Sequence, residues 1–294
     1  MLVSVGIIAF NEEKNINKLL NSLLNQRLNN VVIDEIIVVT SGSTDMTNKI
    51  VEEYSRKNSK IKLEDCKKRK GKASAVNEFL KVAKNKILVL ESGDTVPGKE
   101  TIEKLCLPFL NKNVGLVGAH PIPTNDKNTF MGYVAHLLWE LHHHISSRNP
   151  KGGEMIAFRK LFDQIVEDTA VDESWIEYEI RKRGYKLAYS PEAIVYNRGP
   201  ETLSEFFKQR RRVNLGHIDI RKRTKYRVST TNLSNIISVI FKVFPYREVK
   251  KWLWFFSAIV LEALGKLLGY WDYYIKKRNQ VIWEIAQTTK EVQI

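Results

Sequence analysis

The sequence predicts an α/β fold: a mainly parallel, mixed sheet flanked by helices, with amphipathic and hydrophobic helices following it. Three observations carry this expectation. Short, nearly continuous apolar runs alternate with helical stretches over the first 120 residues, the pattern of strands buried on both faces. Polar clusters follow three of those runs, at the carboxyl ends of strands where such sheets bind ligands. Beyond residue 216 the composition turns basic and then apolar at helical spacing.

Taken in order, strands are expected at 3–9, 35–39, 61–63, 86–90 and 114–118, with helices at 13–25, 44–57, 72–84 and 100–111 between them. The three polar clusters are Phe10-Asn11-Glu12, Thr40-Ser41-Gly42-Ser43-Thr44-Asp45 and Glu91-Ser92-Gly93-Asp94. A longer helix follows at 129–146, then Gly152-Gly153-Glu154-Met155 leading into an apolar run. Asp172-Glu173 opens a helix over 173–183, Gly184-Tyr185 stops it, and a strand is expected at 193–196. Two carboxylates in a first turn also suit the helix dipole, so capping is the structural alternative to catalysis for this pair.

The 294 residues suffice for one large catalytic domain and a smaller appendage, and the composition excludes a disordered or fibrous protein. Lys and Arg outnumber Asp and Glu by 47 to 33, a net charge of +14 that favours anionic partners. The two cysteines, Cys66 and Cys106, lie far apart, which excludes a disulfide framework or a cysteine-rich zinc site and fits a reducing compartment. The opening run reads as a buried strand without the basic region or cleavage site of a signal peptide, so the catalytic part is expected on the cytoplasmic side.

Read together, the motifs resemble the family 2 glycosyltransferases of the GT-A (Rossmann-like) fold, from about residue 3 to residue 215. Ala9-Phe10-Asn11-Glu12 matches the family's opening nucleotide-binding turn. Thr40-Ser41-Gly42-Ser43-Thr44-Asp45 is similar to its Asp-Asp-Gly-Ser-Thr-Asp, and Arg69-Lys70-Gly71-Lys72-Ala73, with Asn77 beyond, to its Gly-Lys helix start. Ser92-Gly93-Asp94 stands where Asp-x-Asp is expected, and Gln209-Arg210-Arg211-Arg212-Val213 where Gln-x-x-Arg-Trp is.

The resemblance implies an inverting glycosyltransferase with a UDP- or GDP-sugar donor, a lipid-linked or saccharide acceptor, and Mg²⁺ or Mn²⁺ as cofactor. It implies donor contacts from Ala9, Phe10, Asn11, Glu12, Thr40, Ser41, Arg69, Lys72, Ser92, Gly93 and Asp94. Asp94 is the expected metal ligand, because a hard cation bridging a diphosphate needs carboxylate oxygen and little else from the protein. The catalytic base falls on Glu173 or Asp172, whose order is reversed relative to the family. Gly153, Glu154, Gln209 and Arg212 are expected at the acceptor and diphosphate end. Three departures stand out: Thr40 and Ser92 replace aspartates, and Val213 replaces the tryptophan, which argues against a processive polymerase. A polyprenyl phosphate is the alternative acceptor; being anionic already, it needs little proton removal.

Between Gln209 and Arg227 eight basic residues face one acid, Asp219. Leu233, Ile236, Ile237, Ile240, Phe241 and Phe244 then form a helical apolar stripe. The segment 252–271 has only Glu262 and Lys266 as charges, an i,i+4 pair, and basic residues flank both its ends. Flanks of one sign disfavour a single crossing and favour helices lying in the interface. The expected organisation is thus a catalytic domain, 1–215, and a membrane-associating region, 216–294, peripheral or monotopic on the cytoplasmic face and drawn to anionic lipid. Non-enzymatic binding of lipid or nucleic acid through 209–227 leaves the strand-end motifs unexplained, so a nucleic-acid partner is disfavoured. His142-His143-His144 point about 100° apart on a helix and cannot converge on one ion. Acceptor contact or helix surface suits them better than a metal.

Overall fold

The computed structural model describes residues 1–278, 281–282 and 284–293; residues 279, 280, 283 and 294, within the region 216–294, lie outside the described residues. In chain order the elements are β1 (Leu2–Ala9), α1 (Ile16–Leu24), β2 (Val32–Ser41), α2 (Thr47–Lys57), β3 (Ile61–Cys66), α3 (Lys72–Val82), β4 (Ile87–Ser92) and β5 (Val96–Pro97). There follow α4 (Thr101–Cys106), β6 (Val114–Pro123), α5 (Phe130–Ser146), β7 (Met155–Arg159), α6 (Asp172–Lys182), β8 (Lys186–Asn197), α7 (Leu203–Thr224), α8 (Leu233–Val243) and α9 (Trp252–Tyr274).

Among the described residues the strands form one sheet in the order β3-β2-β1-β4-β7-β6-β8-β5. The pairs β1/β2, β2/β3, β1/β4 and β6/β8 are parallel, and β4/β7, β6/β7 and β5/β8 antiparallel. The chain winds outward from β1 to β3 and then returns to place β4 on the other side of β1. That reversal opens a crevice beyond the carboxyl ends of β1 and β4, where two of the polar clusters sit. Alternation along β1 divides the core: Val3, Val5 and Ile7 pack with Ile16, Leu19, Leu20 and Leu23 of α1, while Ile8 joins the α3 side with Phe79. Gly6 admits that ring, since a Cβ there would stand 2.6 Å from Phe79.

Three differences from the sequence reading have physical causes. The helix expected over 100–111 breaks after Cys106 into a 3₁₀ turn, Leu107–Leu110, which carries Pro108. The strand expected at 193–196 begins at Lys186, and its register with β6 jumps around Pro191. Residues 203–224 form a 22-residue helix where no helix was expected. Its start was legible, because Thr202 and Glu205 have the spacing of a capping box and Thr202 Oγ1 accepts the Glu205 N–H at 3.2 Å.

α7 runs through residues 215 and 216 and packs along α9. Arg211 makes a bidentate pair with Asp272, both contacts 2.7 Å, and Asp272 is fully buried. Arg210 reaches Glu262 at 2.8 Å, and Asn214 donates to the Lys266 carbonyl at 2.6 Å. Glu262 keeps its 3.7 Å pair with Lys266 as well. The opposite side of α9 is apolar and open, with Leu253 73%, Phe256 54%, Val260 56% and Leu267 66% exposed. Val249–Tyr274 is, among the described residues, one helix long and apolar enough to cross a membrane. Leu233, Ile237 and Phe241 of α8 are exposed too, while Ile240 packs inward.

Candidate active site

The turn after β1 is held by the loop after β2. Asn11 adopts a left-handed backbone (φ 53°), accepts the Thr44 N–H at 2.8 Å, and donates its own N–H to Ser43 Oγ at 3.2 Å. The Glu12 N–H reaches Thr47 Oγ1 at 2.8 Å, and Glu13 N–H reaches Asp45 at 3.1 Å. Ala9 and Thr40, register partners on β1 and β2, are buried beneath this turn with Ser41. Thr40 faces Asp65 of β3, its partner in register, with 3.4 Å between Oγ1 and Oδ1. A carboxylate thus stands beside the position where the family motif carries one on β2. Arg69 lies over the Phe10 ring, 4.1 Å from its centroid.

The turn after β4 is tied to α1 by Asn15, whose side-chain NH₂ donates to the carbonyls of Gly93 and Thr95, each at 2.9 Å. Asn15 was not foreseen; a polar residue opening an amphipathic helix, fully buried, was the available signal. Glu12 packs over Gly93, where a Cβ would meet its Cγ at 2.6 Å. Burial, then the charge of Asp94, pushes Glu12 well above the usual carboxylate range. Glu91 turns away from Ser92, accepts from Thr95 Oγ1 at 2.9 Å, and is pushed up to about 8, chiefly by burial.

Lys72, the first residue of α3, follows Gly71, whose φ of 103° a side chain would resist. Its ammonium reaches away from the sheet to α6, 2.8 Å from Glu173 Oε1 and 3.3 Å from Asp172 Oδ2. Burial acts to raise Glu173, but Lys72 first, then Lys151 and Arg212, hold it below the ordinary glutamate range. Burial and the Glu173 charge push Asp172 the other way. Lys72 thus stands against both carboxylates of a closely spaced pair, where its charge favours their ionised form. Val171, the N-cap residue of α6, makes no side-chain capping bond, and both carboxylates of the first turn face Lys72 across the site.

Glu154 is pushed up to about 7 by burial, then by the charges of Asp94 and Glu173; its Oε1 accepts from Asn197 at 3.3 Å. Arg212, on α7, donates to the Ala170 carbonyl at 3.1 Å, and Glu173, Asp172, Glu154 and Asp94 all act on its charge. Gln209 lies half-buried one turn earlier on the same helix. Asp94, Glu154, Asp172, Glu173, Lys72 and Arg212 thus share one electrostatic neighbourhood.

Glu177 went unrecognised in the sequence, and His142, expected at an acceptor contact or on the helix surface, is buried. Glu177, one turn after Glu173 and fully buried, accepts the Gly152 N–H at 2.7 Å, and His142 Nε2 lies 3.1 Å from the Gly152 carbonyl. Together they fix the backbone that leads through Gly153 to Glu154. The histidine run diverges as its spacing requires: His142 turns inward, His143 stacks on His120 at 4.2 Å, and His144 meets Glu140 at 3.2 Å. Asn77 brackets the backbone of Ile165 with bonds of 3.0 and 2.8 Å, steadying the approach to α6.

No group of three or more His, Cys, Asp or Glu side chains among the described residues could hold a metal by itself. The donor set nevertheless fits a hard divalent cation shared with a substrate: Asp94 supplies carboxylate oxygen beside Glu12 and Glu91, each with one buried oxygen lacking a hydrogen-bond partner.

Residues 4–173 match Glycosyl transferase family 2. Two poly-beta-1,6-N-acetyl-D-glucosamine synthases of Staphylococcus epidermidis are 28% identical over 194 residues (60% of this chain, 45% of theirs) and 27% identical over 248 residues (78% and 58%). The chain spans about half the length of these relatives. A mannosyltransferase of Pyrobaculum calidifontis, solved with GDP-Man and Mn²⁺, shares the fold at a TM-score of 0.64, with 18% identity over 90% of this chain and 86% of its own. Glucosyl-3-phosphoglycerate synthase of Mycobacterium tuberculosis, solved with Mn²⁺, UDP and glucosyl-3-phosphoglycerate, gives 0.52, with 20% identity over 72% and 77%.

Proposed function

The chain belongs to glycosyl transferase family 2, and from that premise we propose that it transfers a sugar, with inversion, from a UDP- or GDP-sugar to a hydroxyl of a lipid-linked or saccharide acceptor at a membrane surface. The observation that carries this reading is the acidic pair Asp172–Glu173 meeting Lys72. Lys72 lies 2.8 Å from Glu173 and favours its charged form, within the neighbourhood of Asp94 and Arg212, at the crevice where donor motifs converge. A base in that state can take the acceptor hydroxyl's proton as its oxygen attacks the anomeric carbon and the bond to the diphosphate breaks. An anionic phosphate acceptor would need no such base, which is why a hydroxyl is favoured.

The turn Ala9–Glu12, with Thr40, Ser41 and Arg69, would receive the nucleoside. Ser92, Gly93 and Asp94 would face the diphosphate, and Asp94 would hold a Mg²⁺ or Mn²⁺ ion that neutralises the leaving group's charge. Gly153 and Glu154 would wall the acceptor side, with Gln209 and Arg212 between acceptor and diphosphate. Lys72, expected to contact the donor, acts in this reading as the counterion of the base. The test is a screen of UDP- and GDP-sugars for binding and for hydrolysis, with and without Mn²⁺. At least one donor should bind and turn over only with the cation; no binding by any of them removes the reading.

Residues 216–294 would rest in the interface, on the cytoplasmic face. The polar side of α9 is committed to α7 through Glu262 and Asp272, so a perpendicular crossing would carry Arg210 and Arg211 into hydrocarbon with it. Lying in the plane exposes only the apolar side to lipid. Arg221, Lys222, Lys225 and Arg227 are exposed beside it and suit anionic head groups. The full chain should therefore bind anionic vesicles in a flotation assay, less so as salt rises. Leu253→Glu with Phe256→Glu should weaken that binding and leave donor affinity intact. A wild-type chain indifferent to vesicles would show α9 to be a packing appendage.

A further inference from the structure

Residues 284–293 follow the last helix back across the catalytic domain and end against α1. The Thr288 N–H donates to Glu205 at 3.3 Å, Arg198 donates to the Glu291 carbonyl at 3.2 Å, and Lys18 to the Val292 carbonyl at 2.9 Å. Val292 is fully buried, and its N–H donates to Asn15 Oδ1 at 3.2 Å. Asn15 is the residue whose NH₂ group holds the turn bearing Asp94. Between these anchors Lys290 enters the crevice, pairs with the buried Glu12 carboxylate, and donates to the Phe10 carbonyl at 3.0 Å.

The chemistry of those two partners is informative. Both are acceptors at the carboxyl end of β1, and a nucleoside brings donors, ribose hydroxyls and base N–H groups, to such atoms. Lys290 satisfies them from within the chain. The second Glu12 oxygen remains buried without a hydrogen-bond partner, so the carboxylate keeps capacity for a further donor.

We propose that segment 284–293 is an autoinhibitory strap, in which Lys290 occupies acceptor atoms that the donor's nucleoside needs, so that donor binding lifts the strap from the crevice. This rests on the donor reading given above. An anionic diphosphate approaching Asp94 would also draw the ammonium from Glu12, and release of Val292 from Asn15 would report the event to the turn after β4.

The experiment uses the full chain and two probes, UDP and GDP, each with Mn²⁺. Calorimetry should show that Lys290→Ala binds one of them several-fold more tightly than wild type. Hydrogen exchange on the wild type, which needs no variant to fold, should show faster exchange across 284–293 when that nucleotide saturates. Unchanged or weaker binding by Lys290→Ala overturns the proposal, as does slower or unaltered exchange of the strap. If neither protein binds either nucleotide, the donor reading itself falls and takes the strap with it; binding without competition overturns the strap alone.

Discussion

Glu173→Gln should slow transfer by roughly 10²–10⁴-fold, the range for loss of a general base, with donor affinity little changed. The substitution keeps size and hydrogen bonding but removes proton acceptance. Asp172→Asn is its necessary partner. Because Glu173 makes the shorter contact with Lys72, 2.8 Å against 3.3 Å for Asp172, the asparagine variant should be the less damaged of the two. A residue serving only the helix dipole would cost at most about 1 kcal/mol of stability and leave turnover near normal. The pH profile supplies a second readout. An active base is deprotonated, and Lys72 lowers the pH at which Glu173 becomes so. Lys72→Met should therefore shift the acidic limb of the turnover profile upward. An unmoved limb would sever Lys72 from the base, and equal losses in both carboxylate variants would make the pair a single structural unit.

Asp94→Ala should reduce turnover by at least about 10²-fold, since a metal at a departing diphosphate supplies several kcal/mol of charge stabilisation. The fold should survive. Asp94 adds to the strain on Glu12, Glu91 and Glu154, each of which its charge pushes upward, so thermal unfolding of the variant should occur no lower than in wild type. Excess chelator should silence the wild type to a similar degree. Full activity of the variant, or of wild type in chelator, would take the cation out of the mechanism.

The strand–helix alternation was legible because strands such as β1 and β4 are nearly continuous apolar runs and a covering helix such as α1 shows the stripe Ile16, Leu19, Leu20 and Leu23. The crevice was legible for the same reason: the motifs Phe10–Glu12 and Ser92–Asp94 come where those runs stop. α7 escaped because its buried apolar side chains, Phe206, Leu215 and Ile220, are too sparse for a stripe, and ion pairs and an amide hold it to α9. The partnership of Lys72 with α6 joins residues 101 apart in sequence and has no local signature. Lys290, 278 positions from Glu12, is more remote still. Thr40 shows the limit of motif reading: the carboxylate beside it comes from Asp65 across the sheet, which only strand register reveals.

Arg210, Arg211 and Arg212 are consecutive, yet the first two look to α9 and the third to the active site. The greasy segment that a biochemist would trim to gain a soluble sample is therefore also the source of two counterions. Cutting the chain near residue 225 would remove Glu262 and Asp272 and strip Arg210 and Arg211 of those partners on the helix that also carries Arg212. It would also discard Lys290. A shortened protein of that kind would report on an altered catalytic centre, and polar replacements on the open side of α9 are the safer route to a tractable sample.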